Sequence, residues 1–105
     1  MTDTQTELDT RIKPDTEATV TEPNQWKVIM LNDDKTTMDF VVGLLVLVFH
    51  MSTDAAVETM LRIHAEGQAV VGLYPYEVAE EKRDTCLRTA QAEGYPLQVV
   101  IQEDA

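Results

Sequence analysis

The stretch KVIMLNDDKTTMDFVV, residues 27–42, joins two apolar runs through a short polar segment. The first run is rich in β-forming residues and ends at asparagine and aspartate, so WKVIMLN (26–32) predicts a strand followed by a turn. Thr36 and Asp39 fit the capping-box spacing T-x-x-D, which predicts that a helix begins there. The turn between strand and helix carries an amide and two carboxylates, those of Asn32, Asp33 and Asp34.

The first predicted helix, TTMDFVVGLLVLVFHM (36–51), follows this turn. Its valines favour a strand, but the length of the run and the cap in front of it favour a helix. Apolar residues fall on nearly every face, so we expect the helix to be deeply buried or covered by a partner. Gly43 costs the helix about 1 kcal/mol relative to alanine, which predicts close packing at that position.

A second helix is indicated between Ser52, a suitable N-cap, and Gly67, a suitable left-handed C-cap. Asp54 is favourably placed in its first turn. An apolar stripe at helical spacing, with Ile63 at its margin, marks the predicted buried face. That stripe consists of Val57, Met60, Leu61 and His64.

The remaining chain predicts a strand, a helix and a strand. AVVGLYPYE (69–77) is a strand broken at Gly72 and Pro75, and a third helix runs from about Pro75 to Glu93. PLQVVIQE (96–103) is the last strand, with alternate residues on one face. Those residues are Leu97, Val99 and Ile101. The order β-α-α-β-α-β predicts an α+β fold in which three helices pack on one face of a small three-stranded antiparallel or mixed sheet.

The composition predicts one folded domain with an N-terminal extension. The chain has 105 residues, 19 acidic and 8 basic, for a net charge of −11. Nucleic acid and anionic membrane surfaces would repel it, and the charge suits either a basic partner or simple solubility. Residues 1–24 are rich in threonine and acids and predict a flexible extension, either an inert leader or a tether for a partner. Residues 25–105 would form the domain.

The cysteine content and apolar runs favour a cytoplasmic protein. Cys86 is the only cysteine, so no internal disulfide or oxidising compartment is implied. The N-terminus has no basic leader followed by an apolar core, so no secretory signal is expected. The longest apolar run, residues 40–49, is too short to span a bilayer.

Three predicted elements converge on one candidate site. If the first two helices pack together, apolar side chains of both meet the polar turn, giving an apolar pocket with an amide, carboxylates and His64 at its mouth. Such a pocket suits a free α-amino group on a large apolar side chain, because that amine is mostly charged at pH 7. Each part also has an ordinary structural reading. The polar cluster is typical of a turn, the methionines of core packing, and His64 of a buried histidine.

Two other functional classes remain as alternatives. Asp33 or Asp34 with His64 is a conceivable acid–base pair, but the sequence shows no nucleophile with an orienting partner and no phosphate-binding loop. His50, His64 and Cys86 lack the spacing of zinc ligands, so no metal or other cofactor is expected. The enzyme reading is therefore disfavoured, and an interaction module that never binds N-termini remains open.

Five motifs follow one another along the chain: KVIMLNDDKTTMDFVV, VFHMS, MLRIHAEG, VGLYPYEVAEEK and YPLQV. Together they resemble the ClpS family, and the match covers about residues 26–103. The family comprises adaptors that deliver N-degron (N-end rule) substrates to ClpA- or ClpC-type AAA+ unfoldases for proteolysis. The resemblance implies an adaptor that binds N-terminal Leu, Phe, Tyr or Trp and uses its N-terminal extension in handing substrates over.

The resemblance also implies roles for individual residues. Positions associated with the substrate α-amino group are Asn32, Asp33, Asp34 and His64. Positions of the hydrophobic pocket wall are Thr36, Met38, Val41, Met60, Ile63 and Leu97. Positions associated with docking to the unfoldase N-domain are Glu77 and Lys82.

This sequence departs from the family pattern at three places. Thr37 stands where many members have proline, which predicts a less stiff loop. Ile63 stands where valine is frequent, so we hypothesise a shallower pocket that disfavours the bulkiest side chains. The segment GLLVLVFH (43–50) lacks the polar and basic residues usual there, which raises the question of whether its outer face packs on a partner.

Overall fold

The computed structural model describes residues 24–104, which form three strands and three helices. The elements are β1 (Gln25–Leu31), α1 (Met38–Leu47), α2 (Thr53–Glu66), β2 (Gln68–Pro75), α3 (Tyr76–Ala92) and β3 (Gln98–Asp104). The strand order is β2-β1-β3, and both pairings are antiparallel. The predicted α+β fold and element order are confirmed. The predicted flexible extension, residues 1–24, lies outside the described residues except for Asn24.

The central strand β1 divides its side chains between the two faces of the sheet. Val28 and Met30 are fully buried in the core beneath the helices. Ile29, between them, points to the opposite face, where it pairs with Val70 of β2 and Val100 of β3. This alternation places the C-terminal end of β1, and the turn that follows it, against the helical layer.

Helix α1 begins one residue later than the capping-box motif predicts. Its N-cap is Thr37, whose Oγ1 accepts a hydrogen bond from the Phe40 N–H at 3.2 Å. Thr36 is not the cap, because its hydroxyl donates to Asp33 Oδ2 at 2.7 Å. The Asp33 carboxylate thus bonds to Thr36, and Thr37 caps the helix.

Helix α1 is buried on one side only. Its buried residues are Val41, Leu44 and Leu45, whereas Leu47 in its last turn is 77% exposed. The prediction of deep burial is therefore wrong for the described chain, and coverage by a partner stays untested. The predicted close packing at Gly43 is also wrong, because a Cβ there would meet nothing within 4 Å.

Helix α2 has the predicted caps but a different buried face. Ser52 Oγ accepts from the Ala55 N–H at 3.1 Å, and Gly67 has φ +90°. The predicted stripe is confirmed at Met60 and wrong at its other members, because Val57 and Leu61 are 38% and 52% exposed and His64 is exposed as well. The buried residues are Ala56, Thr59, Met60 and Ile63. The two stripes differ by about one residue of rotation, and the observed stripe, which includes the small side chains of Ala56 and Thr59, faces α1 and β2.

Strand β2 is continuous through Gly72, where the sequence predicted a break. The pairing shifts between Val28, opposite Gly72, and Ile29, opposite Val70, so Val71 is the extra residue of a bulge. A Cβ at Gly72 would collide with the ring of Tyr74, which explains the glycine. Helix α3 then follows β2 directly, close to its predicted bounds.

Candidate functional site

A cavity of about 340 Å³ lies between the loop after β1, the N-terminal turns of α1, and α2. The loop residues Asn32, Asp33, Asp34, Lys35, Thr36 and Thr37 line it together with Met38, Val41, Met60, Ile63 and His64. The structure therefore brings together nine of the ten residues predicted for the α-amino site and the pocket wall.

The tenth residue, Leu97, does not line the cavity. It is 4% exposed and lies in the hydrophobic core just before β3, next to Val99 along the chain. The resemblance assigned it to the pocket wall. Only the packing shows that its side chain supports the core instead of facing the recess.

The wall of the cavity is apolar and buried. Val41, Met60 and Ile63 are 7%, 9% and 3% exposed, and they come from two different helices. Met38 is 46% exposed and forms part of the rim. An apolar side chain in this recess would contact the buried carbon atoms of the wall on one side and remain exposed to water on the other. Burial of a leucine- or phenylalanine-sized side chain contributes about 1.5–3 kcal/mol.

The loop is held by hydrogen bonds to Asp33. Its Oδ1 accepts from the backbone N–H groups of Lys35 and Thr36, each at 2.8 Å, and its Oδ2 accepts from the Thr36 hydroxyl. Partial burial raises the pKa of this carboxyl, but the hydrogen bonds from Thr36 and Lys35 outweigh it and hold the pKa below its ordinary value. Both oxygens of Asp33 therefore act within the loop.

A second tie joins the loop to α2. The Asn32 N–H donates to Gly67 O at 2.9 Å, which fixes the end of β1 against the C-cap of α2. His64 lies in the last turn of that helix and is exposed, so it is not the buried core histidine of the alternative reading. Asn32 and Asp34 are exposed as well. An amide, a carboxylate and an imidazole thus share the mouth of one apolar recess.

Two cavity residues were missed at the sequence level. Thr37 and Lys35 line the mouth, and neither was assigned to the site. The doubled threonine gave a signal for Thr37, but spacing alone favoured Thr36 as the helix cap. Lys35 gave no signal beyond its position next to two carboxylates.

The predicted docking residues lie away from this cavity, on α3. Glu77 is exposed in the first turn of α3. Lys82 is half-buried, and its Nζ donates to Val48 O at 2.8 Å, just past the last turn of α1. The same ammonium lies 5.3 Å from the centroid of the Tyr74 ring and 6.0 Å from that of Phe49. Lys82 therefore has a structural contact that Glu77 lacks among the described residues.

A shallower groove of about 260 Å³ lies beside Lys82, between the end of α1 and α3. It is lined by Leu47, Val48, His50, Val78, Glu81, Lys82 and Thr85. His50 has a left-handed backbone conformation with φ +60°, which turns the chain sharply after α1.

Two further chemistries find no support in residues 24–104. No group of three or more His, Cys, Asp or Glu side chains there is arranged to hold a metal ion. Cys86 is buried in the core, where desolvation raises the pKa of its thiol to about 11 despite the nearby Lys82.

Within residues 24–104, no helix is both long and apolar enough to cross a membrane.

Comparison with known proteins identifies the family of this chain. The family model described as ATP-dependent Clp protease adaptor protein ClpS matches residues 21–100. The ClpS adapter protein of Wolinella succinogenes is 44% identical over 97 residues, which cover 92% of this chain and 93% of that protein. The ClpS adapter protein of Campylobacter jejuni is 41% identical over 85 residues, which cover 81% of this chain and 88% of that protein.

A solved structure agrees with this assignment. Agrobacterium tumefaciens ClpS2 bound to L-phenylalaninamide superimposes with a TM-score of 0.76 at 34% identity, covering 79% of this chain and 100% of that chain. Sequence and fold thus agree over most of the described domain. The chain belongs to the ClpS family of ATP-dependent Clp protease adaptors.

Proposed function

We propose that this Clp protease adaptor binds the free α-amino group and the bulky apolar side chain at the N-terminus of N-degron substrates. It then delivers them to a ClpA- or ClpC-type unfoldase. The observation that carries the proposal is the cavity, in which Val41, Met60 and Ile63 form a buried wall below a polar mouth. The mouth groups that we assign to the ammonium are Asn32, Asp34 and His64.

The chemistry of the mouth supports an ammonium ligand. An α-ammonium has three N–H donors, and the amide oxygen of Asn32, the carboxylate of Asp34 and a neutral ring nitrogen of His64 are acceptors. Each hydrogen bond with a charged partner contributes roughly 1.5–3 kcal/mol. The ligand of the Agrobacterium relative, L-phenylalaninamide, has a free α-amine and an aromatic side chain, which is the combination that this cavity suits.

The contacts that the cavity offers predict modest affinity for a single residue. Apolar burial adds about 1.5–3 kcal/mol to the polar contacts. Loss of translational and rotational freedom then removes several kcal/mol, so we expect dissociation constants on the order of micromolar. N-terminal Leu, Phe, Tyr and Trp are the side chains proposed for the recess.

Acetylation of the peptide N-terminus tests the proposal. It removes the charge and two of the three donors while leaving the side chain unchanged. We expect a free Leu- or Phe-starting peptide to bind at least about tenfold more tightly than its acetylated form, measured by fluorescence anisotropy. Equal affinities would contradict the proposal and favour an interaction module that ignores N-termini. Turnover of the peptide would indicate an enzyme, and we propose that none occurs.

Delivery requires a second surface, and we propose that it includes Glu77 and Lys82 on α3. The N-domain of the unfoldase is the proposed partner, and the cytoplasm the proposed location. Glu77→Ala is the cleaner test, because Lys82 also holds the end of α1 through Val48. We expect Glu77→Ala to weaken binding to the isolated N-domain and to leave peptide affinity unchanged.

The N-terminal extension, residues 1–24, is proposed to act at handover. Deletion of residues 1–20 should preserve peptide affinity and slow degradation of an N-degron substrate in a reconstituted protease assay. Undiminished degradation by the deletion variant would refute this part of the proposal. Because peptide binding is measured separately, the result does not depend on the binding site.

A further inference from the structure

We propose that Asp33 is a positioning residue: its carboxylate holds the loop in which Asn32 and Asp34 meet the substrate ammonium, and does not itself bind that ammonium. The inference deepens the proposed function and rests on it. It assigns different roles to two adjacent carboxylates that the sequence alone presents as equivalent.

The contacts of Asp33 all lie within the loop. Its Oδ1 accepts from two successive backbone N–H groups, those of Lys35 and Thr36, and its Oδ2 accepts from the Thr36 hydroxyl at 2.7 Å. These bonds close a tight turn in which both carboxylate oxygens face the chain that follows. Within residues 24–104, by contrast, no hydrogen bond uses the carboxylate of Asp34, which is exposed at the cavity mouth.

The turn is anchored at both ends. Before Asp33, the Asn32 N–H is bound to Gly67 O at the end of α2. After it, Thr37 caps α1 through the Phe40 N–H. Asp33 thus closes the segment that connects two fixed points. The side chains of Asn32 and Asp34 leave the backbone on either side of it, so their positions at the mouth depend on its hydrogen bonds.

The apolar wall does not depend on this loop. Val41, Met60 and Ile63 are held by α1 and α2, and all three belong to the hydrophobic core. Loosening the loop should therefore weaken recognition of the ammonium and leave recognition of the side chain largely intact. The ratio of affinities for free and acetylated peptides measures the first effect separately from the second.

The experiment compares Asp33→Asn, Asp33→Ala and Asp34→Asn, each with free and acetylated Phe-starting peptides. An asparagine at position 33 can still accept both backbone N–H bonds through Oδ1, and its amide can donate to the Thr36 hydroxyl. We expect Asp33→Asn to keep the free-to-acetylated ratio within about threefold of the unmodified protein. Asp33→Ala and Asp34→Asn should each reduce that ratio by about tenfold or more.

Two results would overturn the inference. If Asp33→Asn lowers the ratio as much as Asp34→Asn, the charge of Asp33 itself contacts the ammonium. If Asp33→Ala leaves the ratio unchanged, the hydrogen bonds of Asp33 are not needed to position Asn32 and Asp34. A ratio near one in the unmodified protein would instead refute the proposed function.

A second pair of variants tests the inference even if Asp33→Ala does not fold. Thr36→Val removes only the hydroxyl donor to Asp33, whereas Thr36→Ser keeps it. We expect Thr36→Val to lower the free-to-acetylated ratio several-fold and Thr36→Ser to restore it. Equal ratios for the two Thr36 variants would also overturn the inference. Thermal melting of each variant shows whether the domain remains folded.

Discussion

The two ends of helix α1 use charged groups in opposite ways. At its N-terminal end, exposed polar groups surround a recess whose wall, including Ile63, is buried. At its C-terminal end, the one ammonium beside the groove, that of Lys82, is bonded to Val48 O, while Leu47 is exposed. One end keeps the charged groups of Asp34 and Lys35 exposed above a buried apolar wall. The other end uses its charge for folding and leaves an apolar side chain in solvent.

This difference indicates which charged side chains can be substituted to test binding without also changing the stability of the domain. The Asp34 charge at the cavity mouth can be removed with little effect on the fold, because no hydrogen bond within residues 24–104 uses it. Removing Lys82 changes the stability of the fold and any docking surface together. Substitutions at the two ends should therefore separate into binding effects and stability effects.

The largest effect is expected at the mouth of the cavity. Asp34→Asn keeps the size of the side chain and removes its charge, so it should weaken binding of free N-terminal peptides by about tenfold or more, as expected for loss of a charge-assisted hydrogen bond. The measurement is peptide affinity by anisotropy or calorimetry. Asp39→Asn is the matched control, because Asp39 is an exposed carboxylate in the first turn of α1 that does not line the cavity.

The same variant should leave the melting temperature nearly unchanged. A large loss of stability in Asp34→Asn would show that this carboxylate serves the fold, as Lys82 does. The contrast between the two ends of α1 would then fail. Loss of binding in Asp39→Asn as well would point to a general charge effect.

The next largest effect is expected at the other end of α1. Lys82→Met keeps the apolar stem but removes the bond to Val48 O and the cation–π contact with Tyr74. We expect a loss of about 1–2 kcal/mol in the free energy of unfolding, or roughly 5–15 °C in melting temperature for a domain of this size. Peptide affinity at 25 °C should not change.

Arg62→Met is the control for this prediction. Arg62 is an exposed cation on α2, so its loss should change the free energy of unfolding by less than about 0.5 kcal/mol. Equal melting temperatures for Lys82→Met and Arg62→Met would show that the Lys82 contacts carry no stability. Lys82 would then be as free to bind a partner as Glu77.

A smaller, stabilising effect is expected between the two ends. Gly43 lies inside α1, and a Cβ there meets nothing within 4 Å, so Gly43→Ala should raise the free energy of unfolding by about 0.5–1 kcal/mol. Gly67→Ala is the opposite case, because Gly67 has φ +90° at the end of α2, and it should destabilise the domain. Urea denaturation measures both. Destabilisation by Gly43→Ala would reveal a packing contact on this face.

The smallest effect concerns the depth of the recess. Ile63→Val removes one methyl group from the cavity wall, which should improve the affinity for Trp- relative to Leu-starting peptides by a few-fold. It should also cost about 0.5–1.5 kcal/mol of stability, because Ile63 is 3% exposed. An unchanged Trp-to-Leu affinity ratio would remove Ile63 as a determinant of selectivity.

Much of the fold was predictable because its signals are local. The cap at Ser52 and the left-handed turn at Gly67 each depend on a few neighbouring residues, and both were predicted correctly. The choice between Thr36 and Thr37 as the cap of α1 is equally local, but the capping-box spacing does not include Asp33. The Asp33 carboxylate accepts the Thr36 hydroxyl, and the Thr37 hydroxyl caps the helix.

The errors in the apolar helices have one physical cause. In α2, two stripes about one residue of rotation apart both look apolar, and packing against α1 and β2 selected the one that contains Ile63. In α1, apolar residues on every side gave no indication that Leu47 would remain exposed. Leu97 was assigned to the cavity wall by the family resemblance, whereas the strand pattern only indicated that it shares a face with Val99 and Ile101.

The sequence by itself determined the order of the elements, the turn chemistry after β1 and the set of side chains from which a site could be built, because these follow from local propensity and from motifs read in order. The tertiary structure alone decided which of those side chains meet. Contact between α1, α2 and the turn depends on packing between residues far apart in the chain. In the same structure, the carboxylate of Asp33 points into the loop and that of Asp34 lies at the mouth of the cavity.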